Sequence, residues 1–147
     1  MVTNIKDSFN IKDLGKPTRL LSTKIARNCK LSIIHISQPS FINTIAKQFE
    51  ILPSHGIHAP MDPNIDLQAS NQEEITSDLL YATLIGSINY CTESTHPDIA
   101  YTTNKYTQYT FKLNFSPWEV AERIVQYLQQ MREYRISYQR EGQGIKG

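Results

Sequence analysis

Residues 53–76 read PSHGIHAPMDPNIDLQASNQEEIT. Three prolines (Pro53, Pro60, Pro63), a glycine (Gly56) and many polar residues fall in this stretch. Proline removes a backbone donor and ends helices, so no regular element is expected here. A connection this long is unusual inside one compact unit. It is predicted to be a linker between 1–52 and 77–140, and the rest of the chain must fold on either side of it.

On the N-terminal side, Leu20 to Ile25 and Leu31 to Ile36 are short runs rich in Leu, Ile and Thr. The polar stretch ARNCK between them predicts the turn of a β-hairpin. Ser37 offers a capping hydroxyl, and Pro39 suits the first turn of a helix. Ile42, Ile45, Ala46 and Phe49 follow at helical spacing, which predicts an amphipathic helix over 39–50.

On the C-terminal side the pattern predicts three helices. Ser77 or Asp78 can cap the first, with Leu80, Leu84, Ile85, Ile88 and Cys91 as its apolar stripe. Pro97 and Asp98 open the second, where an acidic group suits the positive end of the helix dipole. Ser116-Pro117-Trp118-Glu119 has the spacing of a capping box and opens the third, lined by Val120, Ile124, Leu128 and Met131. RISYQR alternates like a short strand, and residues 141–147 read as a disordered tail. The fold class expected is α+β: a hairpin and helix, a proline-rich linker, then about three helices and a terminal strand.

The formal net charge of +1 hides an uneven distribution. Residues 1–47 hold eight Lys/Arg against Asp7 and Asp13, a balance of +6. Residues 48–104 hold eight acids and no Lys or Arg, −8, and 105–147 hold seven bases and four acids, +3. A basic arm can meet phosphate, or the two halves can attract each other; charge patterning leaves both open. Lys24, Arg27 and Lys30 lie at or near the predicted hairpin turn and are the candidate nucleic-acid contacts. They would hold a backbone without reading sequence.

Several chemistries lack their residues. Cys29 and Cys91 form no CxxC pair, which excludes a cysteine-based zinc ribbon and fits a reducing compartment. His55 and His58, near Asp62, sit in a proline-broken loop without a fourth ligand, so no metal site is predicted. Gly142 and Gly144 lack the lysine and hydroxyl residue of a phosphate loop. Cys91 has no base beside it in the pattern, and no nucleophile-elbow motif groups Ser, His and Asp. The start MVTNIKDSFNIKDLG has no apolar core of signal-peptide length, and Leu79 to Cys91 is too short and polar to span a bilayer. An intracellular location, cytoplasmic or nuclear, is expected, with no membrane partner.

Five segments then occur in order: SFNIKDLGKPTRLL, ISQPSFINTIAKQFEI, APMDPNIDL, YATLIGSINYCTESTHPDIAY and SPWEVAERIVQYL. Together, over roughly 8–138, they resemble the reverse transcriptase region of copia-type retrotransposon Pol polyproteins. The resemblance implies a palm-edge hairpin, a thumb-like helix and a connection segment. It places HPDIAYTTNKYTQY beyond the polymerase centre, with Tyr101, Tyr106 and Tyr109 on a packing helix. It also implies that the paired carboxylates of the Tyr-X-Asp-Asp turn lie upstream of Phe9. Two-metal polymerisation needs such carboxylates. The six aspartates here (7, 13, 62, 66, 78 and 98) include no adjacent pair.

There are departures from the family pattern. Leu20-Leu21-Ser22 stands where FLG is common, so a glycine that could let the strand bend is replaced. His96 stands in place of an arginine, Pro117 in place of a histidine, and Gln129, Gln130 and Met131 follow the RYL-like segment. No catalytic residue is assigned. No cofactor is expected for this chain, with Mg²⁺ expected only in the full-length polymerase. The partners implied are an RNA or DNA primer–template and the remaining polymerase and RNase H segments of the polyprotein. The alternative readings are a nucleic-acid-binding module and a helical protein-interaction module.

Overall fold

The computed structural model describes residues 15–61, 78–109 and 117–139. The predicted tail at 141–147, residues 62–76 of the linker, Ser77 and Ser116 lie outside the described residues.

The elements run β1 (Arg19–Leu20), β2 (Thr23–Asn28), β3 (Ile33–Ser37), α1 (Pro39–Gln48), α2 (Asp78–Ser94), a 3₁₀ turn at Pro97–Ile99, α3 (Ala100–Tyr109), α4 (Pro117–Gln130) and β4 (Ile136–Gln139). The fold is α+β. The strands form one antiparallel sheet in the order β1-β2-β3-β4.

The first half of the hairpin differs from the expectation. Leu20 to Ile25 is not one strand, because the chain reverses at Leu21-Ser22 between the paired residues Leu20 and Thr23. Leu21 and Ser22 have φ of 45° and 65°. Two residues at positive φ match the right-handed twist of the flanking strands, which is why such turns favour glycine and asparagine. Ser22 occupies the position of the glycine in the family's FLG, so the missing glycine falls where the left-handed backbone needs it. Ser22→Gly is expected to raise stability by about 0.5–1 kcal/mol, since relieved strain outweighs added freedom in the unfolded chain. The denaturation midpoint of the variant checks this.

The second turn is also displaced. Ala26, Arg27 and Asn28 are in β2, and the loop is Cys29 to Ser32. Asn28 closes it: its Oδ1 accepts the backbone N–H groups of Lys30 at 3.1 Å and Leu31 at 3.2 Å. A side chain that mimics a backbone acceptor is the reason asparagine recurs in turns.

A hairpin stripped of its neighbours would be marginal in water. This one gains a third full strand, because β4 pairs with β3 from Ile33↔Gln139 to Ile36↔Ile136. Residues opposed across strands share a face. Ile25, Ile36 and Ile136 therefore form one row, with Leu20, Ile34 and Tyr138 on the same side.

The core is helical and continuous across the proline-rich segment. Ile42, Ile45, Ala46, Phe49 and Ile51 from α1 and its end pack with Leu84, Ile85, Ile88 and Cys91 of α2. Ile99, Tyr106, Val120, Ala121, Ile124, Val125 and Leu128 complete the cluster. Leu80, expected on the apolar stripe of α2, is instead 54% exposed. Edge-to-face pairs Phe41–Tyr90 (5.1 Å) and Phe49–Trp118 (6.0 Å) flank the core.

α1 ends in a left-handed residue, Glu50 at φ 55°, and Ile51 N–H returns to Ala46 O at 2.8 Å. That bond satisfies a terminal carbonyl and tucks Ile51 into the core. Residues just beyond are tied to α4: Gln126 Nε2 donates to Leu52 O at 3.4 Å, and Gln130 Nε2 to Ser54 O at 2.6 Å. Ile57 is also buried, and Met61 packs partly buried against the core.

Candidate functional site

The three predicted nucleic-acid contacts do not share a surface. Lys24 pairs with Ser37 and Arg19, four residues along β2 from Asn28, or about 13 Å from the turn. Arg27 lies three residues on, so its side chain leaves the opposite face. It is engaged locally, its guanidinium donating to Pro17 O. Lys30 alone is in the turn. All three are exposed. Arg19, which sequence reasoning did not single out, shares a face with Lys24, and its Nη2 is 3.4 Å from Ser40 Oγ. The basic residues are thus spread over both faces and one end of the sheet.

The polar groups that converge are elsewhere, where β3 hands over to α1 and α2 to the 3₁₀ turn. Pro39 starts α1 as expected, but the cap residue is Gln38, and no side chain caps the helix. Ser37 does not supply the expected hydroxyl. Gln38 is fully buried, and its Oε1 accepts the Thr95 hydroxyl at 2.7 Å. Thr95 is 4% exposed and His96, next to it, 2%. The His96 backbone N–H returns to Cys91 O at 2.9 Å, which turns the chain sharply and drives the imidazole inward.

His96 Nδ1 lies 3.6 Å from Asp98 Oδ1, and Asp98 Oδ2 accepts the Tyr127 hydroxyl of α4 at 2.8 Å. Burial holds the His96 pKa below its ordinary value, against the nearby Asp98 charge. Burial and the bond to Asp98 push the Tyr127 phenol up to about 12. Burial alone pushes the Cys91 thiol up to about 12, so it stays protonated and unreactive. A cleft of about 340 Å³ opens beside this corner, lined by Pro97, Asp98, Tyr127, Met131, Tyr134 and Arg135 among others.

This corner ties the starts and ends of helices together through the Gln38–Thr95 and Asp98–Tyr127 bonds. Among the described residues no three His, Cys, Asp or Glu side chains group as metal ligands. Asp62, the acid near His55 and His58, lies outside the described residues. Asp98 is the one aspartate whose side chain is described. The tyrosine helix splits in role. Tyr106 is 2% exposed in the core, whereas Tyr101 is 67% exposed with Lys105 Nζ 5.6 Å from its ring centre. The side chain of Tyr109 lies outside the description. No described helix is long and apolar enough to cross a membrane.

The buried corner joins two of the five segments that marked the sequence: Gln38 belongs to ISQPS and Thr95-His96 to TESTHPDIAY. Comparison with curated proteins finds relatives that match most of the chain. The chain is 23% identical over 131 residues to the Retrovirus-related Pol polyprotein from transposon TNT 1-94 of Nicotiana tabacum. It is 24% identical over 125 residues to the Retrovirus-related Pol polyprotein from transposon RE1 of Arabidopsis thaliana. The chain is a homologue of copia-type Pol polyproteins. Each match covers 85% of the chain but only 10% and 8% of the respective polyprotein. This Pol homologue therefore spans about a tenth of the relatives it matches. No protein-family model matches it, and no solved structure does.

Sequence reasoning did not identify Gln38, Thr95 or Tyr127. Gln38 and Thr95 are polar residues just outside their helices, a position that ordinarily means solvent. The available signal was the family segment itself, in which a serine-glutamine pair closes the hairpin.

Proposed function

We propose that this chain is part of the reverse transcriptase region of a retrotransposon Pol polyprotein, the palm-edge hairpin, thumb-like helix and connection. The observation that carries the reading is the homology to Pol polyproteins along 85% of the chain. Its role there is to help position primer–template, and the chain is inactive alone. The carboxylates and Mg²⁺ belong to other segments of the polyprotein, which with primer–template are its partners.

The arrangement of charge supports a holding role over a reading one. Arg19 and Lys24 on one face, Arg27 on the other and Lys30 at the turn can each meet a phosphate. None is paired with a neighbour in a way that would recognise a base edge.

A primer–template duplex titrated with the purified chain at increasing salt tests this. Binding is expected to be weak, with log K falling against log salt at a slope no steeper than about −4, as four phosphate contacts would give. Lys24→Ala with Arg27→Ala and Lys30→Ala should flatten that slope. An unchanged slope in the triple variant removes these residues from the interface. Template-directed nucleotide incorporation by the chain with Mg²⁺ or Mn²⁺ is expected to be absent, and measurable extension would overturn the reading.

A further inference from the structure

We propose that His96 is a proton-sensitive latch: the corner where the start of α1 is tied to the end of α2 stays closed while its buried ring is neutral, and taking up a proton releases it. The proposal stands on the buried junction and is independent of the polymerase reading.

The Asp98 carboxylate 3.6 Å from Nδ1 favours the ring proton on that nitrogen. Nε2 then carries only a lone pair. It is buried and has no hydrogen-bond partner. Gln38 Nε2 is a buried amide donor that also lacks one. Gln38 is bonded through its oxygen to Thr95, the residue before His96, so both atoms belong to one junction. In the neutral state one is a donor and the other an acceptor, and each is unbonded.

Protonation puts a charge into this buried junction. Nε2 becomes a second N–H, and the junction then holds two unpaired buried donors and a positive charge with little access to water. The Gln38–Thr95 tie is the contact that gives way, because it is the side-chain bond that joins the start of α1 to the α2 corner. The other ionisable groups around the ring are Asp98 on its own turn, Tyr127 on α4, and Tyr134 and Arg135 across the cleft. Tyr127 and the Cys91 thiol are both pushed up to about 12 and keep their protons through mild acid. Burial lowers the pKa of His96 from its ordinary 6.5. A depressed folded-state pKa means the latch is fully closed above 6.5 and is lost as pH falls through the folded value.

The test is a pH titration of the whole chain by NMR, with amide exchange read at each step. The His96 ring is expected to be the Nδ1–H tautomer at neutral pH and to titrate below 6.5. Exchange protection at Ile42 and Ile99, whose N–H groups bond Gln38 O and His96 O, should fall by about tenfold or more in step with that titration. Protection at Ile124 and Leu128 in the core should persist. His96→Gln, which cannot titrate, should abolish the pH dependence. Should that variant not fold, the Gln38 side-chain amide shift in the native chain must follow the His96 titration curve. Protection that stays constant as His96 titrates, a core that opens together with the corner, or the same pH dependence in His96→Gln overturns the proposal.

Discussion

Leu128→Ala is expected to destabilise the fold by about 2–5 kcal/mol. Leu128 is fully buried on α4, which packs against both α1 and α2. Removing its branched end strips apolar contacts from the region where elements before and after the proline-rich segment meet. Ile42, Ile88 and Ile124 of the same core are each within 1% of full burial, so the core has little room to collapse into the cavity. Urea denaturation measures the loss as a shift in midpoint with little change in slope. Leu80→Ala is the control. Leu80 is 54% exposed despite its place in the helical pattern, so its removal should cost no more than about 0.5 kcal/mol. Equal costs at the two positions would mean that the core is not where the structure has it.

The second large effect concerns the buried polar tie. Gln38→Leu should destabilise the fold by about 1–3 kcal/mol, although leucine is similar in volume and more apolar. The reason is the partner left behind. Thr95 Oγ1 donates to Gln38 Oε1 at 2.7 Å in a site 4% exposed, and without the acceptor its hydroxyl is buried unsatisfied. Thr95→Val removes that hydroxyl with little change of shape. The Gln38→Leu, Thr95→Val double variant is therefore expected to recover most of the loss, because removing both partners of a buried bond can be nearly neutral. The coupling energy of this double-mutant cycle is the measurement. A cycle that closes with no coupling would show that the two side chains do not interact in solution.

These two sites differ in how visible they were in the residue order. The α4 stripe of Val120, Ile124 and Leu128 is a helical repeat, and all three are buried. Likewise α1 starts at Pro39, α4 at Pro117, and β4 occupies the alternating ISYQ. Each depends on neighbours within about a turn, the range over which a linear pattern carries information. Leu80 and Ser37 mark the limit. Leu80 fits the repeat but lies on the first turn of α2 and is 54% exposed. Ser37 has the chemistry of a cap, but Gln38 takes the cap position without a side-chain bond.

Local residue order thus established which segments become helix or strand, the α+β class, and through five ordered motifs the kinship to Pol polyproteins. Propensity, capping and periodicity act over a few residues, so they survive in the linear text. The folded chain alone revealed that β4 joins β3, that Leu21 and Ser22 turn through positive φ, and that Gln38 reaches Thr95. The His35–Ser137 contact at 2.7 Å links residues 102 apart, and Gln38–Thr95 links residues 57 apart. Such contacts form only when remote segments displace water from each other, and no short stretch of sequence records which partner will arrive.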